Sequence, residues 1–426
     1  MHLYDVPLIF VLVGLVLYTV LAGADFGAGL WQLLVGGGPS GARIRDHAHR
    51  SMGPVWEANH VWLIFVLTVT WTAYPTAFGA IASTLSIPFF LAAVGIILRG
   101  AAYALRAGTS VRRELRAIDT VFAISSILTP FALGTIVGAV ASGRVPVGNA
   151  AGHLFSSWTG PTSILIGMLA VASSGYLAAV YLAADAARLR ERDLERRFRA
   201  RALGAGIIAG AVALAGLAVL HSDAHRIYHG LIQGDGLAGL VVSVLAGLVT
   251  LVLVMKRRYE AARFSAGLAV AAVIAGWALA QNPTFLPGLT IQQAAAPRTT
   301  LIAITVAVLA GAAMLFPSLA LLFRLVLVGR LDPAETIPSS TRAAPSILFA
   351  SASGLVGRMA AGCLLAGVGL LTLAEAGWAH GVGVTALFAF VVLGFLAAGP
   401  HQLAAKQPGD GARARAAPRS PDRGSC

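Results

Sequence analysis

Eleven long apolar runs divide this chain and leave it few ways to fold. Each run holds 18 to 29 residues, and a helix needs about 20 to cross a bilayer. The runs are continuous and do not alternate every second residue, unlike the strands of a transmembrane barrel. They occupy residues 6–33, 57–75, 78–105, 118–141, 160–184, 203–221, 237–255, 264–281, 299–323, 346–374 and 380–399. The pattern predicts an all-α polytopic membrane protein.

Composition supports this fold class. The chain is 57% hydrophobic and 12% charged, with a mean hydropathy of +0.80, whereas a soluble domain carries about twice that charge. No basic residue precedes the long first run, so we expect a first span and not a cleaved signal peptide. Two cysteines, Cys363 and Cys426, give neither a disulfide framework nor a C-x-x-C-H element for covalent haem attachment.

The basic residues are strongly asymmetric across the loops. Of the 31 lysines and arginines, 26 fall in alternate loops and three (Arg144, Arg226 and Arg298) in the opposite set. Such asymmetry marks the cytoplasmic side of a membrane protein. We therefore expect the N-terminus outside, the C-terminus in the cytoplasm and anionic lipid at the basic face, and we attribute the net charge of +13 to topology and not to nucleic-acid binding.

Four regions follow from composition. Residues 1–330 hold nine spans and form the main transmembrane domain. Residues 331–345 are a Pro-, Ser- and Thr-containing stretch typical of a cytoplasmic linker. Residues 346–400 hold two further spans, an expected accessory hairpin that packs as an appendage. Residues 401–426 form a basic tail that we expect to be disordered.

Acids in or beside the lipid-facing segments are the main functional signal. A carboxylate at the bilayer centre costs about 2.5–3.5 kcal/mol on insertion scales. With the expected orientation, Asp25, Glu57, His60, Arg99 and Asp119 all lie near the cytoplasmic ends of the first four spans. Two interpretations stay open: Arg99 neutralises Asp25 or Glu57 and holds helix ends together, or the acids and His60 form a proton entry route.

Two motifs carry a family resemblance. Residues 23–27 have the form G-x-D-x-G, and residues 54–62 have the form P-x-W-[DE]-x-N-x-x-W. Their spaced combination resembles subunit II of the cytochrome bd-type quinol oxidases. The motif positions besides the acids are Gly23, Gly27, Pro54, Trp56, Asn59 and Trp62. The glycines, together with Gly29, would let a neighbouring helix approach closely.

The resemblance implies an architecture and a division of labour. Nine spans would form two four-helix bundles plus a peripheral helix, with the last two spans as a departure from the pattern. The chain would be the non-haem subunit of an aerobic respiratory oxidase in a prokaryotic plasma membrane. Haem b, haem d and the quinol site would lie in the partner, subunit I, forming a heterodimer that reduces O2 to water with quinol. This chain would bind no cofactor or metal directly and would support proton or oxygen access, with Asp25 and Glu57 contributing to proton uptake.

Histidines near residue 225 form a second pattern. His221, His225 and His229 recur every four residues, and Asp223 lies among them. Imidazole stripes can bind zinc, copper or haem iron. Three glycines follow closely, so we expect the helix to end there and the histidines to form an exposed polar cap. His47 and His49 lie in a basic stretch and are expected to be solvated.

Two other functions fit the same pattern. A secondary transporter would also have about eleven spans, Gly-rich helices and buried acids. A purely structural assembly partner would need the acids only for pairing. Soluble-enzyme chemistry has no support, because the chain carries no P-loop, zinc-protease helix, nucleophile elbow or kinase element. The sequence leaves the choice between menaquinol and ubiquinol open.

Overall fold

The computed structural model describes six stretches of the chain: residues 2–35, 39–52, 56–106, 112–327, 355–373 and 377–398. The chain consists of two compact units, Met1–Val328 and Gly329–Cys426. The linker 331–345 and the tail 401–426 lie outside the described residues, as does Pro54.

Helices dominate the described residues. A short 3-10 turn over Leu3–Asp5 leads into α1. The helices are α1 (Val6–Leu33), α2 (Pro39–Met52), α3 (Trp56–Ala73), α4 (Pro75–Thr84), α5 (Ser86–Arg106), α6 (Arg112–Ala141), α7 (Pro161–Arg188), α8 (Arg192–Asp223), α9 (His225–Ile232), α10 (Gly236–Met255), α11 (Tyr259–Gln281), α12 (Ile291–Ala294), α13 (Arg298–Leu327), α14 (Leu355–Leu373) and α15 (Gly377–Ala398). A two-stranded antiparallel hairpin, β1 (Thr284–Leu286) and β2 (Leu289–Thr290), precedes α12.

An apolar helix occupies every predicted span. Within the described stretches, eight helices are long and apolar enough to cross a membrane: α1, α5, α6, α7, α8, α10, α11 and α13. Shorter apolar segments of α3, α14 and α15 coincide with the other three. The prediction of an all-α polytopic membrane protein is therefore confirmed, with the small β hairpin as a local exception.

One predicted span, 78–105, is divided in two. The chain leaves the helix at Leu85, with φ −103° and ψ 29°, between α4 and α5. Pro88 explains this break, because a proline has no N–H to donate to the carbonyl four residues earlier, at Thr84. Pro75 acts similarly at Tyr74, where α3 ends and α4 begins.

Neighbouring helices define two bundles. In the first, α1 packs against α3 and α6, and α5 packs against α6. In the second, α7 packs against α8 and α11, and α10 packs against α8 and α11. The bundles meet where α1 and α6 contact α7, while α13 packs on α1 and α3 from outside. This is the arrangement of two four-helix bundles plus a peripheral helix that the sequence resemblance implies.

Small residues allow the helices to approach one another. A Cβ built on Gly239 of α10 would lie 2.5 Å from the Cα of Gly276 on α11, closer than real atoms come. Lipid supplies no hydrophobic force between helices, so such contacts stabilise the bundle through van der Waals packing. The second unit uses the same device, since a Cβ on Gly367 of α14 would lie 2.7 Å from Leu387 of α15.

Candidate functional site: a buried ion pair in the first bundle

An ion pair between α1 and α5 is the most deeply buried charged group in the described residues. Arg99 Nη2 lies 2.6 Å from Asp25 Oδ1, and the two side chains are 2% and 4% exposed. The same nitrogen donates to the backbone carbonyl of Asp25 at 2.9 Å. The Gly-rich stretch around Asp25 stays helical because a backbone in lipid must satisfy its own hydrogen bonds.

Arg99 is held on further sides by α1 and α6. Its Nη1 donates to the hydroxyl of Ser126. The guanidinium carbon lies 4.2 Å from the ring centroid of Phe122 and 5.1 Å from that of Phe26. Stacking of a desolvated cation on aromatic faces is worth about 2 kcal/mol. These contacts fix the guanidinium in one position and orient one oxygen of Asp25.

The opposite side of Asp25 carries polar atoms without partners. Its Oδ2 has no hydrogen-bond partner among the described residues, and neither has the buried hydroxyl of Tyr18. The rings of Tyr18 and Phe26 each lie close to His60, at 6.2 and 6.1 Å between centroids. A buried polar atom without a partner costs about 1–3 kcal/mol. Such atoms also occur elsewhere in the described residues, for example at Tyr176 and Trp277.

Glycines make room for the pair, as the sequence predicts. A Cβ on Gly29 would overlap the hydroxyl of Ser126 and lie 3.1 Å from Arg99 Nη1. A Cβ on Gly27 would overlap the carbonyl of Ser174 on α7. At Gly23 the nearest atom, in Leu177, would be 3.3 Å away. The close approach that these glycines were expected to permit is confirmed.

The second motif places α3 against α1. Asn59 is buried and its amide donates to the carbonyl of Leu21 at 3.3 Å. Trp62 packs against the cluster that contains Tyr18 and Phe26. The described part of this motif therefore positions α3, and with it His60, beside the ion pair.

Two of the predicted acids, Asp119 and Glu57, are not placed in contact with the ion pair in the described residues. Asp119 is partly exposed and lies on α6, seven residues before Ser126, or about 10 Å along the helix axis. Glu57 and Trp56 open α3, but their side chains lie outside the described set. The structure thus brings together Asp25, Arg99 and His60, and it places Asp119 two turns nearer the start of α6.

Sequence reasoning missed the residues that complete the site. Tyr18 precedes Asp25 by seven residues and so shares its helix face, a signal that was available. Ser126 was not distinguishable from other serines of apolar helices, which usually hydrogen-bond their own backbone. It does so here as well, donating to the carbonyl of Phe122 at 2.5 Å.

A second ion pair, between α7 and α11, was also missed. Arg263 donates to Asp185 and to the carbonyl of Tyr181, the latter at 3.0 Å. Arg188 also contacts Asp185, at 3.1 Å, and Glu260 lies 3.6 Å from Arg263. This cluster lies at the ends of its helices and is more exposed than the first.

The expectation of a solvated His47 is wrong. His47 is 1% exposed, because α2 packs on α7 and covers it. Its Nε2 donates to the carbonyl of Leu182 at 3.1 Å, and its ring lies 5.6 Å from that of Phe198. The side chain of His49 lies outside the described set.

At the other end of the second bundle, Asp223 connects the end of α8 to the loop between α6 and α7 and to the start of α7. It pairs with Arg144 at 2.5 Å and accepts hydrogen bonds from the backbone and hydroxyl of Thr162 at 3.1 and 2.6 Å. The helix α8 ends at Asp223, but α9 begins two residues later and carries His225 and His229. The nearby histidines are exposed, as expected.

The fold and this buried site define a class: a multi-pass helical membrane protein of two packed bundles around an intramembrane ion pair. The family model for cytochrome bd terminal oxidase subunit II matches residues 3–326. The chain therefore belongs to that family, and it is a subunit of a bd-type quinol oxidase, an oxidoreductase complex with a second subunit and haem cofactors.

Individual relatives agree. The putative cytochrome bd menaquinol oxidase subunit II of Bacillus subtilis is 23% identical over 54% of this chain and 67% of that protein. The cytochrome bd ubiquinol oxidase subunit 2 of the same organism is 29% identical over 32% of this chain and 39% of its own length. A chain of the bd oxidase from Geobacillus thermodenitrificans is 27% identical, with a TM-score of 0.60, over 77% of this chain and 99% of that one.

Two histidines of the described bundles, His47 and His60, do not fit axial haem ligation. Nε2 of His47 is committed to a backbone carbonyl, and its ring is covered by Phe198. Both ring nitrogens of His60 are buried, and the rings of Tyr18 and Phe26 lie 6.2 and 6.1 Å from its ring. A porphyrin plane needs an accessible nitrogen and an open face at its ligand, which neither ring offers.

Proposed function

We propose that this chain is the non-haem subunit of a bd-type quinol:oxygen oxidoreductase and that its Asp25 cluster admits protons to the reaction. The partner, subunit I, carries haem b, haem d and the quinol site. The family match and the poor fit of His47 and His60 to haem support this division. Expressed without its partner and purified in detergent, the chain should show no Soret band. A stoichiometric Soret band that disappears in His60→Ala would contradict the division.

The proposed orientation has the N-terminus outside, in a prokaryotic plasma membrane. Successive spans cross the membrane in alternating directions, so every second loop should lie on the same side. The contacts described below each connect two segments that this alternation places on one side. The Tyr74 hydroxyl donates to the carbonyl of Tyr4, and Arg144 pairs with Asp223. On the other side, Arg43 lies 3.5 Å from Glu191. The 26 basic residues belong to this second side, the proposed cytoplasmic side.

Labelling tests this orientation. Cysteines introduced at Ser142 and Asp235 should react with an impermeant thiol reagent added to intact cells, whereas one at Arg192 should not. The reverse pattern would place the ion pair near the outer face and would remove the argument for cytoplasmic proton uptake.

The proton role is carried by one observation: a buried carboxylate with one oxygen on Arg99 and the other without a partner in the described chain. Acids with adjustable charge are the usual materials of intramembrane proton routes. Asp119, two turns nearer the proposed cytoplasmic end of α6, would be the next acid outward. Glu57, at the start of α3, would be another contributor. Oxygen reduction to water consumes protons, so the haem-bearing partner needs such a supply.

A charge-removal series separates proton transfer from simple pairing. Asp25→Asn removes the titratable proton but also leaves Arg99 buried without its counter-charge. Asp25→Asn combined with Arg99→Gln removes both charges and restores neutrality. If Asp25 conducts, the double variant should assemble with its partner and keep its haem spectra, yet turn over roughly 10-fold or more slowly than the parent complex. Ser126→Ala, which removes only a neutral contact of Arg99, is the matched control.

The outcomes differ clearly. A double variant that regains both assembly and turnover would show that Asp25 only neutralises Arg99. The slowing should grow at high pH, where protons are scarce, and Glu57→Gln should act in the same direction. An unchanged rate in assembled Asp25→Asn and Glu57→Gln complexes would refute the proton role.

A further inference from the structure

Three histidines stay aligned where the second bundle meets the aqueous phase at the end of α8. The helix is interrupted at Ala224, with φ −137° and ψ 56°, and resumes as α9. The rings nevertheless remain neighbours: 5.5 Å separates the centroids of His221 and His225, and 4.4 Å those of His225 and His229. All three side chains are exposed.

A hydrogen bond identifies which nitrogen of the His225 ring carries a proton. Nδ1 of His225 lies 3.0 Å from the backbone carbonyl of His221, an acceptor only, so this Nδ1 donates. Nδ1 of His229 lies 3.2 Å from the side-chain amide of Gln233, whose oxygen accepts and whose nitrogen donates. A neutral imidazole has one N–H, so Nε2 of His225 carries a lone pair, and Nε2 of His229 does so when the amide oxygen faces its ring.

The two Nε2 atoms face each other. Nε2 of His225 and Nε2 of His229 are 2.9 Å apart. Two ring nitrogens at this distance hold either a proton or a metal ion between them. A carbonyl oxygen on the remote nitrogen is also the usual way in which proteins orient metal-binding histidines.

We propose that His225 and His229 bind one divalent transition-metal ion through their Nε2 atoms, with copper(II) or nickel(II) preferred. Nitrogens that are 2.9 Å apart and each about 2.0–2.1 Å from a metal subtend an angle of about 90°. That angle belongs to square-planar or octahedral coordination. Tetrahedral zinc would need the nitrogens about 3.3 Å apart.

The site supplies two protein ligands. Among the described residues no group of three or more His, Cys, Asp or Glu side chains is placed to hold a metal. Asp223 is nearby in sequence, but its oxygens are taken by Arg144 and Thr162. Water therefore completes the coordination, and the ion exchanges with the aqueous phase.

Copper(II) titration of the purified oxidase complex, followed by electron paramagnetic resonance, tests the site. All arms carry His2→Ala, which removes an exposed imidazole outside the proposed site. The parent should bind one copper ion with nitrogen hyperfine structure from two imidazoles. His225→Ala and His229→Ala should each weaken binding at least about 10-fold. His221→Ala is the matched control: it removes the third imidazole but keeps the carbonyl that orients His225, and it should bind as the parent does.

Each contrary result overturns the proposal. Binding that survives both His225→Ala and His229→Ala would place the copper elsewhere. An equal loss in His221→Ala would contradict the two-ligand site. No stoichiometric binding in the parent would mean that the two nitrogens share a proton.

Discussion

The two bundles each contain a buried aspartate–arginine pair, and the pairs differ in what surrounds them. Asp25 and Arg99 are 4% and 2% exposed, and Arg99 is the one cation that contacts Asp25 in the described residues. Asp185 and Arg263 are 10% and 22% exposed, and Asp185 also contacts Arg188. The first pair has an aspartate oxygen without a hydrogen-bond partner in the described residues. The second pair belongs to a more exposed network with Arg188 and Glu260, although Arg263 Nε has no partner there either.

The difference indicates that the second pair mainly holds helices together, whereas the first pair has another purpose. A networked pair at a helix end can lose one member and be compensated by its neighbours or by solvent. A single buried pair cannot, since breaking it leaves a charge in a medium of low dielectric. The first pair is thus costly to keep and sensitive to change, which is the expected signature of a functional group in a membrane protein.

The largest effect is expected at Asp25. Asp25→Asn should reduce the stability of the assembled complex by about 3–5 kcal/mol, because it leaves Arg99 as an uncompensated buried cation. The loss of haem absorbance on heating in detergent measures this effect. Arg99→Gln in the same chain should recover most of the loss. Failure of the second substitution to recover any stability would show that the pair is not the source of the cost.

A smaller effect is expected from glycines beside each pair. Gly29→Ala should cost about 1–3 kcal/mol, since its Cβ would overlap the hydroxyl of Ser126. Gly267→Ala is the matched control, because its Cβ would lie 3.5 Å from Val20 and 3.9 Å from the hydroxyl of Tyr181, both ordinary contacts. Thermal midpoints of the two complexes give the comparison. Equal shifts would remove the claimed difference in packing between the two regions.

The smallest effect is expected at the second pair. Asp185→Asn should cost about 1 kcal/mol, because Arg263 keeps the carbonyl of Tyr181, its contact with Glu260 and partial hydration. Turnover should stay within about twofold of the parent, a change worth less than 1 kcal/mol in the barrier. A loss of stability as large as that of Asp25→Asn, measured by the same assay, would show that the two pairs are equivalent.

The sequence predicted the features that depend on local pattern. Eleven apolar runs, two motifs and the acid in α1 were visible because lipid penalises charge and leaves continuous hydrophobic stretches. Arg99 could be predicted as a partner of Asp25, because it is an arginine within a predicted span. The break at Leu85 also had a visible cause in Pro88.

What the sequence could not show depends on which helices meet. His47 belongs to a basic, amphipathic stretch, and nothing local reveals that α2 folds onto α7 and buries it. Ser126 accepts a hydrogen bond from Arg99 because Gly29, which has no side chain, lets α6 approach α1. Asp185 and Arg263 are 78 residues apart, and their pairing follows from the packing of α7 on α11.

We propose that Asp25 changes its protonation state during oxygen reduction. Infrared difference spectroscopy of the complete oxidase, triggered between its reduced and oxygen-reacted states, detects carboxyl groups that gain or lose a proton. We predict a carboxyl band in the parent complex that is missing from the assembled Asp25→Asn, Arg99→Gln variant and retained in Asp185→Asn. The same band in all three complexes would contradict the claim and would leave Asp25 as the counter-charge of Arg99.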